Sequence, residues 1–303
     1  MKRIFLFVAT NVAVLLVVSV VLSLLGVRGY LERNAVGGVS INYQQLLIIS
    51  LVIGFAGSFI SLAMSKFIAK MAYGIKPIGQ PGSEAEAWVK QTVAEQAKKA
   101  GIRTPEVGIY ESPEVNAFAT GPSRNNALVA VSSGMIRGMS LRQIEGVLAH
   151  EVSHVANGDM VTMALLQGVL NTFVVFLSRI LGLILDNFLR RGDDNRGGVG
   201  IGYWIASMVC QVFLSILASL IVFAYSRRRE FAADAMAAKL AGKDAMIGAL
   251  QRLKQVSEGG GVLDDRSPAL SAFKISGKTK GIGHLFATHP PLADRIAALE
   301  RLR

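Results

Sequence analysis

Four runs along the chain are apolar on every side of a helix rather than on one face: Ile4 to Leu25, Leu46 to Met64, Val161 to Ser178 and Ile201 to Tyr225. Each approaches the length of about 20 residues that a membrane-spanning helix needs. The pattern predicts four transmembrane helices. The first follows Lys2 and Arg3 as a signal peptide would, but it exceeds an h-region of roughly 7 to 15 residues and no A-x-A-like site follows it. It is read as an uncleaved anchor. In the third, Arg179 interrupts the run, and an arginine at mid-membrane is costly. That places Arg179 at the far interface, Leu181 to Phe188 along the membrane surface, and the turn back at Asp193, Asp194, Gly197 and Gly198.

Between Gly82 and Gly158 the pattern becomes that of a globular domain. Ser83 and Glu86 form a capping-box signature, and the helix they open carries Trp88, Val89 and Val93 to a stop at Gly101. Glu106 to Tyr110 and Ala127 to Val131 read as short strands, separated by a loop-rich stretch from Ser112 to Asn126. Ser140 and Gln143 form a second capping-box signature, and that helix stops at Gly158. Past the fourth run, the Ala-rich stretch Arg227 to Leu240 continues the span as one helix up to Gly242. Glu258 to Gly283 is rich in Gly, Ser and Lys and reads as a mobile loop, and a last helix covers Leu292 to Leu302.

Composition sharpens this reading. Of 303 residues, 51% are hydrophobic and only 17% charged, against roughly 25% charged in soluble domains. The net charge of +11 does not point to nucleic acid, because Lys and Arg are interleaved with acids and form no aromatic-spaced stripe. Membrane flanks account for it. Lys2, Arg3, Lys66, Lys70, Lys76, Arg227, Arg228 and Arg229 fall on one side of the predicted spans, and Arg28, Arg33, Arg190, Arg191 and Arg196 on the other. The bias favours both termini inside. Two spans separate the segment before Val161 from the segment after Tyr225, so those two share a compartment. The single cysteine, Cys210, lies in an apolar run and excludes an internal disulfide framework.

The chemistry is carried by His150-Glu151-Val152-Ser153-His154. Four residues is about one helical turn, so both imidazoles leave one face and can hold one zinc ion, with Glu151 rotated to take a proton from zinc-bound water. About 0.002 such motifs are expected by chance in this composition. A structural zinc is the rival reading, but such sites are usually closed by Cys, and the one Cys is in a span. A third ligand six residues after His154 is excluded, because Asn157 and Met160 occupy the metzincin positions. It must come from after Tyr225 or from the first soluble segment. Glu230 is chosen because it follows the fourth run by about as many residues as His154 precedes the third. Asp234, one turn on, can accept a hydrogen bond from a ligating histidine.

These motifs, with Asn116-Ala117-Phe118-Ala119-Thr120-Gly121, Arg228-Arg229-Glu230-Phe231-Ala232-Ala233-Asp234 and Thr288-His289-Pro290-Pro291, resemble the HtpX membrane metalloproteases along nearly the whole chain. That family is related to the CaaX-processing prenyl proteases. The resemblance implies a bacterial inner-membrane zinc endopeptidase whose active site faces the cytoplasm, acting in quality control of misfolded membrane proteins under stress. It carries over His150, His154 and Glu230 as ligands of one zinc per chain and Glu151 as the catalytic base. His289, from its family-like position, and Arg295 are candidate donors to the tetrahedral intermediate. The plainer readings are a cap on the last helix for His289 and a surface charge for Arg295. His284 is given no chemical role. Asn116 and Ala130, the latter in the strand Ala127 to Val131, are candidates for holding an extended substrate along a sheet edge.

The fold expected is a mainly α membrane protein, four transmembrane helices with an α+β zincin-like cytosolic protease domain of gluzincin type. It divides into an N-terminal pair of spans (1–64), a first protease segment (65–159), a second pair of spans (160–225) and a second protease segment with the third ligand (226–303). The expected partners are unfolded or misfolded membrane-protein substrates and the lipid bilayer, with no nucleic acid; a homo-oligomer is left open. Two other functions compete, a noncatalytic zinc-stabilised membrane scaffold or chaperone and a prenyl-protein processing protease.

Overall fold

The computed structural model describes residues 43–189, 201–258, 285 and 287–302. The first apolar run, the expected turn at Asp193 to Gly198 and residues 259–283 of the Gly-rich stretch lie outside them. In chain order the elements are α1 (Tyr43–Tyr73), β1 (Lys76–Pro77), α2 (Glu84–Lys99), β2 (Glu106–Tyr110), β3 (Ala117–Ser123), β4 (Asn126–Ser132), α3 (Ser133–Gly138), α4 (Leu141–Asn157), α5 (Asp159–Leu189), α6 (Ile201–Ala241), α7 (Lys243–Glu258) and α8 (Leu292–Arg301). The chain divides into two compact units, residues 1–58 with 166–218, and residues 59–165 with 219–303.

Three helices among the described residues, α1, α5 and α6, are long and apolar enough to cross a membrane. Within the first unit, Tyr43 meets Phe176 edge-on with ring centroids 5.5 Å apart. Buried hydroxyls bond to the carbonyls of their own helices, Ser50 to Leu46 at 2.7 Å and Thr172 to Gly168 at 2.8 Å, so they demand no water. The expected break at Arg179 is absent. Helix α5 runs unbroken for 31 residues, and the Arg179 guanidinium lies 5.2 Å from the Trp204 ring centroid. A cation over an aromatic face is partly compensated for lost water, so the helix continues through Arg179. Leu181 to Phe188 belong to that helix rather than to a separate surface segment.

The 41 residues of α6 extend about 62 Å at 1.5 Å per residue, twice the roughly 30 Å hydrocarbon core. One half of this helix suffices to span. The part beyond Tyr225 belongs to the second unit and carries Glu230.

The second unit is built on a four-stranded sheet of order β1-β2-β4-β3, in which β2 and β4 run parallel and the other pairs antiparallel. Strand β4 is central, and Leu128 to Val131 are fully buried. Its side chains alternate: Val129 and Val131 join the main core with α4, whereas Leu128 and Ala130 face Tyr110, Phe118 and Tyr73. Strand β3 occupies much of the stretch read from sequence as loop. Gly121 and Pro122 hide it, and its hydrogen bonds come from pairing with β4, which shifts register between Thr120 and Ser123. Helix α7 likewise had no counterpart in the sequence reading. Helix α2 begins at Ser83 as expected, but the Glu86 carboxylate accepts from Gly82 N–H at 2.7 Å instead of closing the box on Ser83.

The main core joins Ile144, Leu148 and Val152 of α4, Ala237 and Leu240 of α6, Met246 and Leu250 of α7, and Leu299 of α8. Gly146 lets α4 approach α7 so closely that a Cβ there would overlap the Ala245 carbonyl. This packing sets α4, α6 and α8 around one point.

Candidate metal centre

Helix α4 starts at a complete capping box, Ser140 accepting from Gln143 N–H and Gln143 accepting from Ser140 N–H, and ends at Gly158, whose φ of 69° breaks the helix. Between these stops His150 and His154 stand one turn apart with ring centroids 4.6 Å apart. Their Nε2 atoms face each other at 3.1 Å. Glu230, fully buried on α6, closes the triangle: Oε2 lies 3.3 Å from His150 Nε2 and Oε1 3.4 Å from His154 Nε2.

Around these three residues the contacts are dense. His150 Nδ1 lies 2.9 Å from Asp234 Oδ1, and His154 Nδ1 lies 2.6 Å from Asp159 Oδ2. Arg295 of α8 grips Asp234 with two bonds, Nε to Oδ2 at 2.8 Å and Nη2 to Oδ1 at 2.6 Å, and its Nη1 is 3.2 Å from Glu230 Oε2. His289 Nδ1 is 2.9 Å from the same oxygen. The plainer readings of both residues are thereby corrected. Arg295 is 2% exposed and so is no surface charge, and α8 begins at Pro291 with no side-chain cap, so His289 does not cap it.

The donor set fits a divalent metal. Bonds of 2.0–2.1 Å in tetrahedral arrangement put neighbouring ligand atoms about 3.3 Å apart, close to the separations of 3.1, 3.3 and 3.4 Å found here. Charge gives a second reason. Glu230, Asp234 and Asp159 are buried carboxylates, and the buried cation among them is Arg295. With neutral histidines, two negative charges remain, and buried charge is costly unless compensated. A divalent ion supplies that compensation.

The same imbalance shifts the titrating groups. Burial lowers the His154 pKa, but the Glu230 and Asp159 carboxylates more than offset it and raise it to about 9. Burial would raise the carboxylates; instead the facing histidines hold Glu230 well below its ordinary range, and Arg295 and His150 hold Asp234 at about 2. In the metal-free fold, stabilisation from protonated His154 is complete below about 6.5, the ordinary value, and is lost as pH rises through about 9. Metal must displace that proton. The apparent zinc association constant of the full chain is therefore expected to rise between pH 6.5 and about 9, by about tenfold per unit for each proton displaced. Chelator competition across this range measures it, and a flat profile would contradict the assignment.

Glu151 follows His150 on α4 and is half-buried, outside the ligand triangle. Asn116 is 5% exposed; its N–H donates to Ser132 Oγ at 3.0 Å, its carbonyl accepts from Ser132 N–H at 2.9 Å, and its Nδ2 has no hydrogen-bond partner among the described residues. Ala130 is a correction. It lies on the central strand, flanked by β2 and β4's other neighbour β3 and fully buried, so no substrate can pair beside it. The edge on the side of α4 is β3. Asp159 was missed by the sequence reading, although it stands five residues after His154; its direction depends on the left-handed turn at Gly158.

The chain matches known proteins over most of its length. Residues 83–303 match the model of peptidase family M48. The chain is 59% identical over 302 residues to a protease HtpX homolog of Methylacidiphilum infernorum and 54% identical over 302 residues to the protease HtpX of Shewanella frigidimarina, covering 99% of this chain and 99% of the relative in each case. The fold resembles the crystal structure of S. mikatae Ste24p, with a TM-score of 0.60 at 20% identity, over 84% of this chain and 58% of that one. With its His150, His154 and Glu230 cluster and three helices among the described residues able to cross a bilayer, the chain is a membrane metalloprotease and belongs to the HtpX proteases of peptidase family M48.

Proposed function

We propose that the protein is a zinc endopeptidase of the bacterial inner membrane that hydrolyses misfolded or damaged membrane proteins at an active site facing the cytoplasm, as part of stress-linked quality control. The observation that carries the reading is the His150, His154 and Glu230 triangle, with His150 and Glu230 buried and Glu151 beside it on α4. His150, His154 and Glu230 would hold the zinc, which would supply Lewis acidity to the scissile carbonyl and to the attacking water. Glu151 takes the water proton and returns it to the leaving amine. His289 and Arg295 stand on the Glu230 side of the triangle, where they hold its carboxylate and can donate to the oxyanion. Asp234 holds His150 through Nδ1, leaving Nε2 for the metal.

Substrate is held as an added strand along β3, with Asn116 at its start. Such pairing reads backbone rather than side chains, which suits unfolded chains of many sequences. The basic residues flanking the apolar runs support the cytoplasmic orientation. Four spans follow if Ile4 to Leu25 crosses as well as the three helices.

The test compares two substrates for the full-length zinc-loaded protein, an unlipidated unfolded membrane-protein segment and a C-terminally prenylated peptide. Cleavage of the unlipidated segment is expected at rates at least equal to those for the peptide. Cleavage confined to the prenylated peptide would replace this reading with prenyl-protein processing, and cleavage of neither would replace it with the scaffold.

A further inference from the structure

The active-site helix and the following helix meet at a sharp corner. Helix α4 ends at Asn157, Gly158 turns the chain with φ 69°, and α5 begins at Asp159. The corner is clamped from outside: Arg124 Nη2 donates to the Asn157 carbonyl at 3.0 Å, and a Cβ on Gly158 would meet Arg124 Nε at 2.9 Å. Past the turn, the first side chain of α5 reaches back to His154 in the last turn of α4. Asp159 is 6% exposed, and its Oδ2 lies 2.6 Å from His154 Nδ1. The two imidazoles thus have separate carboxylates, Asp234 from α6 for His150 and Asp159 from α5 for His154.

We propose that Asp159 is a positioning residue of the metal centre: His154 Nδ1–H donates to its carboxylate, which fixes the ring and its tautomer so that Nε2 is the nitrogen offered to the metal. The partner of a ligating histidine sets which nitrogen carries the proton and makes the ligand more basic. Asp159 is also the first residue of α5. The assignment rests on His154 being a zinc ligand.

An acidic residue at a helix start also has a purely structural use, since it opposes the positive end of the helix dipole. The two roles separate experimentally. The full chain carrying Glu151→Gln, to prevent self-cleavage, is the parent, and Asp159→Ala, Asp159→Asn and His154→Ala are made in it. Zinc affinity is read by chelator competition, ligand geometry by the visible spectrum of the cobalt-substituted protein, and stability by thermal unfolding of the metal-free form. Asp159→Ala is expected to bind zinc about 10–100-fold more weakly with an altered cobalt spectrum, and Asp159→Asn, which keeps an acceptor oxygen, to recover much of the loss. If Asp159→Ala lowers only the metal-free melting temperature and leaves affinity and spectrum unchanged, while His154→Ala loses zinc, the positioning role is overturned and the metal centre stands. If His154→Ala retains zinc, the metal centre itself is wrong and the positioning role falls with it. An Asp159→Ala chain that does not fold leaves the decision to Asp159→Asn: affinity below the parent's but above that of His154→Ala, with an altered cobalt spectrum, supports the role, and affinity and spectrum both equal to the parent's overturn it.

Discussion

Replacement of Glu151 by Gln is expected to lower peptide hydrolysis by about 10²- to 10⁴-fold, the usual contribution of a positioned general base, with zinc content unchanged. Glu151 sits one residue after His150, so it is rotated about 100° round α4 from that ligand. The ligand atoms that cluster belong to His150, His154 and Glu230, and Glu151 is half-buried whereas Glu230 is wholly buried. Gln has the same shape and nearly the same hydrogen-bonding reach but cannot accept the water proton. The prediction is checked by metal analysis and initial rates on one preparation. Full activity at full zinc occupancy would remove Glu151 from the chemistry, and lost zinc would make it a ligand instead.

The second large effect is expected at Glu230. Its carboxylate is fully buried and faces His150, His154, His289 and Arg295 at once. Glu230→Ala removes the proposed third ligand and also takes from the buried Arg295 guanidinium one of its two carboxylate partners, and breaking a buried pair costs up to about 3–5 kcal/mol. A ligand present at 100 times its Kd stabilises the fold by about 2.7 kcal/mol. The parent protein should therefore melt at a higher temperature when zinc is added, and Glu230→Ala should melt lower and show no zinc-dependent shift. Glu230→Gln separates the two contributions, because it fills the space but ligates poorly. A zinc-dependent shift of parental size in Glu230→Ala would transfer the third ligand to another residue.

The architecture of α4 was readable because its determinants are local. Ser140 and Gln143 at one end, Gly158 at the other and two histidines one turn apart lie within 19 consecutive residues, and each acts through the backbone of its own helix. The long helices were readable for a similar reason, since length and apolarity are properties of single segments. Strand β3 was not. Ala117 to Ser123 has weak strand propensity, and its backbone bonds come from β4. Ala130 was mistaken for an edge residue because the order of strands is not written in any one of them. At Arg179 a charge stands in an apolar run, and only the facing Trp204 ring shows how the helix accommodates it.

By itself the sequence determined which helix offers two imidazoles and a carboxylate, and that the chain enters a membrane. The tertiary structure decided which distant groups complete the centre. Glu230 and Asp234 arrive on α6, Arg295 on α8 and Asp159 through the Gly158 turn, and their separations of about 3 Å are set by core packing such as the close approach at Gly146. The physical reason is range. Helix periodicity and capping act over a few residues, whereas a buried cluster with two negative charges left over by Arg295 exists only after packing excludes water from groups far apart in the chain.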